Sequence, residues 1–132
     1  MQFALVNPTA IILAAIVTNI LAYVWYVPLF GAQWRALTSR TEADMRRPQV
    51  IALLALGILV TAFTLGEFVS YAGAATLAGG ALVGLLAWFG FYAATTFTNV
   101  ISQGRAAKLY FIDNGFSLVS FAVMGAILGA FR

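Results

Sequence analysis

The chain has 132 residues, 63% hydrophobic and 8% charged, with seven basic and four acidic side chains and a net charge of +3. A soluble domain carries about a quarter charged residues, so this composition excludes a water-facing globule, and the basic residues are too few for a nucleic-acid surface. The lack of cysteine and histidine excludes disulfides, histidine- or thiolate-based nucleophilic catalysis and the common zinc, iron–sulfur and haem ligand sets, so no metal or cofactor is expected.

A helix crossing a hydrocarbon core of about 30 Å needs roughly 20 residues. The first such stretch is 8–27, with Asn7 as N-cap and Pro8 as first helical residue. No basic residue precedes it, and Trp25 and Tyr26 stand where a cleavage site needs small residues, so it is expected to be a retained span. Pro28 should end this helix, because the residue before a proline avoids the α region. Residues 32–39 predict a short interfacial helix, with Trp34 and Leu37 towards lipid and Arg35 towards water. Thr41 with Asp44 three residues on is a capping-box pattern. Further spans are expected at 49–71, 79–101 and 109–131. Polar and apolar residues do not alternate at period two, which argues against barrel strands and leaves helices as the lipid-compatible structure. The expected fold is all-α: residues 1–132 form a single transmembrane domain, a polytopic four-helix up-down bundle with a short interfacial helix in loop 1.

Charge sets the expected orientation. Loop 1 holds Arg35, Arg40, Arg46 and Arg47, and loop 3 holds Arg105 and Lys108, six basic residues against Arg132 alone at the opposite end. By the positive-inside rule, loops 1 and 3 face the cytoplasm and both termini lie outside. The four loop arginines are also candidates for anionic lipid headgroups, which makes membrane lipid an expected partner.

The run Val24-Trp25-Tyr26-Val27-Pro28-Leu29-Phe30-Gly31-Ala32-Gln33-Trp34 resembles the aromatic-proline-glycine-tryptophan motif of the domain of unknown function 1761 family. A second block is similar as well: Thr95-Thr96-Phe97-Thr98-Asn99-Val100, Gly104-Arg105, Lys108-Leu109, Asn114-Gly115-Phe116 and Met124-Gly125-Ala126-Ile127-Leu128. The resemblance implies a bacterial four-helix integral membrane protein and brings no activity or catalytic residues. Where the family often has an asparagine this chain has Asp113, and where it has tyrosine-histidine this chain has Phe116-Ser117. A role tied to that histidine therefore does not transfer.

Gly80 with Gly84, and Gly125 with Gly129, are small-xxx-small pairs that let helices approach closely. They serve packing within the chain or between copies, and a homo-oligomer, dimer or larger, is expected. Asp113 is the foremost polar candidate. Helical spacing groups it with Ser117, Ser120 and Met124, and antiparallel packing brings Thr95 and Asn99 to similar depth, so a polar cluster of Thr95, Asn99, Asp113, Asn114 and Ser117 is expected. An intramembrane acid is a functional candidate by default; the alternative is pairing with Arg105 or Lys108 in the headgroup zone. Glu67, near the outer end of the second span, is expected to lie near Arg132 or the N-terminal amine, or else in solvent. Asn19 is expected to bond a neighbouring helix or to line a polar cavity with Asn99. Trp88 and Tyr92 fill the packing core, or with Phe89 and Phe91 wall an apolar pocket.

Two functions remain open. One is an oligomeric transporter or channel for a small solute or ion, carried by Asn19, Thr95, Asn99, Asp113, Asn114, Ser117 and Glu67. The other is a non-catalytic accessory protein or lipid-binding scaffold. An enzyme is not expected, and a bacterial inner membrane is the expected location.

Overall fold

The computed structural model describes residues 6–131. Among them all regular structure is helical: α1 (Pro8–Val24), α2 (Gly31–Thr38), α3 (Glu42–Met45), α4 (Pro48–Tyr71), α5 (Leu77–Ala87), α6 (Ala94–Gln103) and α7 (Ala107–Ala130). A π-helical turn, Trp25–Leu29, extends α1, and a second, Trp88–Ala93, fuses α5 to α6. Four continuous helices result, each long and apolar enough to cross a membrane: Pro8–Leu29, Pro48–Tyr71, Leu77–Gln103 and Ala107–Ala130. They are spans 1 to 4 of a multi-pass membrane protein.

The ends of these helices follow local chemistry. Asn7 Oδ1 accepts from the Thr9 N–H at 3.0 Å, and Pro8 fills the first helical position, where its missing N–H costs nothing. Pro48 opens α4 in the same way. Thr76 caps α5, accepting from the Gly79 N–H at 3.0 Å. Span 3 ends at Gly104, whose φ of +64° suits a residue without a Cβ. The capping box at α3 is complete, with Thr41 and Asp44 each bonding the other's backbone at 3.1 Å.

Two expectations for loop 1 are corrected. Pro28 does not end the first helix but lies inside the π turn. The Phe30 N–H reaches five residues back to the Trp25 carbonyl at 2.9 Å, so the proline's missing donor falls where the ladder has already changed register. Nor does Trp34 face lipid. It is half-buried and meets Tyr26 edge-on, ring centroids 5.7 Å apart. Gly31 permits this fold-back, since a Cβ there would come within 2.7 Å of the Tyr26 carbonyl.

Consecutive spans alternate in direction. Asn7 Nδ2 donates to the Phe131 carbonyl at 3.0 Å at one end, and Trp25 Nε1 to the Ile112 carbonyl at 3.0 Å at the other. Span 4 touches all three others. Its seam with α5 is the tightest: a Cβ on Gly80 would overlap the Gly125 carbonyl, and one on Gly129 the Thr76 carbonyl. Both glycine pairs therefore serve contacts within the chain. The apolar core, including Ala10, Ala14, Ala62, Leu65, Val69, Met124 and Leu128, gathers towards the end away from the arginine loops. Large apolar side chains point outward, among them Leu53 at 67% exposure and Phe111 at 71%. Lipid, not water, is the medium that tolerates such a surface.

Candidate functional site

Polar chemistry inside the bundle concentrates near the arginine-rich end, where both π turns face span 4. The first aims two aromatic residues across to it. Trp25 donates to the Ile112 carbonyl, and the Tyr26 hydroxyl donates to Asp113 Oδ1 at 2.7 Å. The second directs Trp88 Nε1 to Ser117 Oγ at 2.8 Å. A π turn inserts one residue and frees carbonyls from the helical ladder. The Ala93 carbonyl takes the Tyr110 hydroxyl at 3.2 Å.

Asp113 lies six residues beyond Ala107, about 9 Å along the helix at 1.5 Å per residue. It is half-buried. No arginine or lysine nitrogen of the described residues comes within 4.0 Å of its carboxylate, so the alternative, a direct pairing with Arg105 or Lys108, does not form. Asp113 and Arg105 instead line one cleft of about 110 Å³, with Tyr92, Thr96, Asn99, Val100, Leu109, Tyr110 and Asn114. Its floor is bonded together. The Thr96 hydroxyl lies 2.8 Å from the Tyr92 carbonyl and 3.1 Å from Asn114 Oδ1, and Asn114 Nδ2 donates to the Tyr110 carbonyl at 3.1 Å. Ser117, beneath, donates to the Asn114 carbonyl at 3.1 Å while accepting from Trp88.

Asn99, Asp113, Asn114 and Ser117 thus come together as expected from spacing, and Thr95 does not. It is exposed, and Thr96 takes its place. The physical reason is the π turn between the core glycines and this position. A regular helix carries the buried face from Gly80 and Gly84 through 91 to 95; one inserted residue rotates the rest of the span by about 100°, and 92 and 96 face inward. Asn19 is also misplaced. Its Nδ2 donates back to the Ala15 carbonyl at 2.8 Å, a bond within its own helix, and it neither crosses to a neighbour nor lines the cleft. Phe89 and Phe91 point outward at 67% and 72% exposure, so no aromatic pocket forms around Trp88.

Glu67 stands apart, nineteen residues into α4. It is 6% exposed, buried and not solvated. The cations expected beside it, Arg132 and the N-terminal amine, lie outside the described residues. Of the loop arginines, Arg46 meets Glu42 at 2.6 Å and Arg47 meets Asp44 at 3.7 Å, while Arg35 and Arg40 have no carboxylate within 4.0 Å among the described residues. No cluster of three or more acidic, histidine or cysteine residues capable of holding a metal occurs among the described residues.

No curated protein and no solved structure matches the chain. A family model described as "Protein of unknown function (DUF1761)" matches residues 9–129. With nearly the whole chain covered, including both motif blocks and every residue of the cleft, the protein belongs to the DUF1761 family.

Proposed function

We propose that this chain is a non-enzymatic transport protein of a bacterial inner membrane, a carrier or channel subunit that passes a small polar solute or ion by way of the cleft at Asp113. The observation that carries the reading is a carboxylate inside span 4, held by a tyrosine hydroxyl, that opens onto a polar cleft and not a packed core. Ionisable groups at such positions are expensive in lipid and mark solute or proton paths. The reading includes a homo-oligomer. Below the cleft, the Trp88–Ser117 bond and the glycine seam join spans 3 and 4 closely, so a path continuing between these two spans needs them to part, and a path beside them a second copy. It also includes the orientation set by the basic loops, with the cleft opening to the cytoplasm. Against an enzyme stands the separation of the two intramembrane acids. Glu67 lies about 28 Å along its helix from the arginine-rich end and Asp113 about 9 Å from it, too far apart to share one scissile bond.

The test is flux through proteoliposomes holding the purified chain, with Asp113→Asn as comparison. Loss of solute or ion flux in a variant that remains monodisperse supports the reading. Flux equal to the parent, or none across a panel of small ions and polar solutes, overturns it. In that event the lipid-binding scaffold is the second reading, favoured by Arg35 and Arg40, which form no ion pair with a carboxylate among the described residues. Anionic phospholipid retained through purification and lost on Arg35→Gln with Arg40→Gln identifies it.

A further inference from the structure

Arg105 and Asp113 carry opposite charges, line the same small cleft and do not touch. The Asp113 carboxylate accepts from one neutral side chain, the Tyr26 hydroxyl. A carboxylate has about four acceptor positions, so it keeps room for further donors, and a neutral hydroxyl does not cancel its charge. The side chains of Arg105 and Asn99 make no hydrogen bond within the described residues. Thr96 and Asn114, in contrast, are already bonded to each other. The cleft therefore offers an anionic acceptor at its inner end and unengaged cationic and amide donors at its mouth. Its volume of about 110 Å³ matches three to four waters at about 30 Å³ each, the room for a ligand of roughly four to six heavy atoms.

We propose that the cleft binds a small zwitterion, one with an ammonium and a carboxylate about one carbon apart, the ammonium at Asp113 and the carboxylate at Arg105. The proposal rests on the reading of this cleft as the solute site and names the class of solute. A lone cation would meet Asp113 but leave Arg105 unpaired and repelling; a lone anion would do the reverse. Only a ligand with both signs pairs both ends, and at Asp113, which is half-buried where Arg105 is exposed, an unmatched charge is penalised. Arg105 follows Gly104, the left-handed end of span 3, so it stands on a loop outside the packed core.

The experiment is equilibrium binding of radiolabelled glycine to the purified full-length chain in nanodiscs, competed by methylammonium and by acetate. Glycine binds saturably, and neither single-charge analogue displaces it at tenfold higher concentration. Arg105→Gln and Asp113→Asn each weaken binding at least tenfold, and Arg105→Lys restores most of it. Arg105→Gln keeps the test valid should Asp113→Asn fail to fold. Displacement by methylammonium as readily as by glycine overturns the proposal, as does Arg105→Gln binding like the parent. If glycine does not bind while Asp113-dependent flux of another solute persists, the zwitterion is wrong and the transport reading stands. If both binding and flux are absent, both fall.

Discussion

The Tyr26 hydroxyl donates to Asp113 Oδ1 at 2.7 Å, joining residues 87 apart in sequence across the seam between spans 1 and 4. Next to it, Trp25 donates to the Ile112 carbonyl, so two successive residues of a π turn bond two successive residues of the last helix. Tyr26→Phe removes the hydroxyl and leaves an intramembrane carboxylate short of its closest donor. The expected loss is about 1–3 kcal/mol, read from denaturant unfolding in detergent micelles. Asp113→Asn keeps an acceptor for the same hydroxyl and should cost less, and the double variant should show non-additivity of at least about 0.5 kcal/mol. Additive effects would mean that the two side chains do not depend on each other.

Two glycines, Gly80 in the seam between α5 and α7 and Gly57 on α4, should respond to alanine with opposite signs. A methyl at Gly80 collides with the Gly125 backbone, which has no side chain to move aside. Gly80→Ala should therefore push the helices apart and destabilise by about 1–3 kcal/mol or more. Gly57 lies in the same class of apolar helix, yet a Cβ there meets nothing within 4 Å. Gly57→Ala should stabilise by roughly 0.5–1 kcal/mol, the helix-propensity difference alone. Unfolding midpoints in one detergent give both values, and similar effects at the two sites would contradict the packing described.

Much of this was legible in the sequence, for identifiable reasons. The spans follow from hydropathy, and the Asn7 and Thr41–Asp44 caps from chemistry confined to a few neighbouring residues. The glycine pairs announce a close approach but not its partner; only the structure places both contacts within the chain. The π turns were not legible, since no residue type demands one. Their effect propagates: the inserted residue at Trp88–Ala93 moves Thr95 off the cleft and Thr96 onto it. The Tyr26–Asp113 bond depends on that same kind of local unwinding at Trp25–Leu29. Asn19 shows a different failure, in which a bond to its own helix preempts one to a neighbour.

The α3 capping box should respond to acid. The Thr41 backbone N–H and hydroxyl, together with the nearby Arg47 and Arg40, hold the Asp44 carboxyl below its ordinary value of 3.8. A group whose folded-state pKa is depressed stabilises above its unfolded pKa and loses that contribution as pH falls through the folded one. Loop 1 should keep its order at neutral pH and lose the α3 turn only below the ordinary carboxylate range. An NMR titration of the Asp44 carboxyl carbon checks this, and Thr41→Ala should return the midpoint towards the ordinary value. A midpoint unchanged by Thr41→Ala would show that the hydroxyl does not contribute and that the backbone N–H of residue 41, which alanine keeps, sets it.

Two buried hydroxyls make the sharpest contrast. Thr18 is 1% exposed and its Oγ1 has no hydrogen-bond partner among the described residues, while Ser117 is 4% exposed and bonded on both sides, to the Trp88 indole and the Asn114 carbonyl. An unsatisfied buried hydroxyl carries its desolvation cost with no compensating bond, whereas deleting one member of a bonded pair strands the other. Thr18→Val, which keeps the shape, should therefore be neutral or stabilise by up to about 1 kcal/mol. Ser117→Ala should destabilise by about 1–3 kcal/mol and shift the Trp88 fluorescence, since it leaves an indole N–H without an acceptor under the floor of the cleft. Unfolding in one detergent ranks the two variants. Were Thr18→Val the more damaging, Thr18 would have a partner that the bundle as described does not supply.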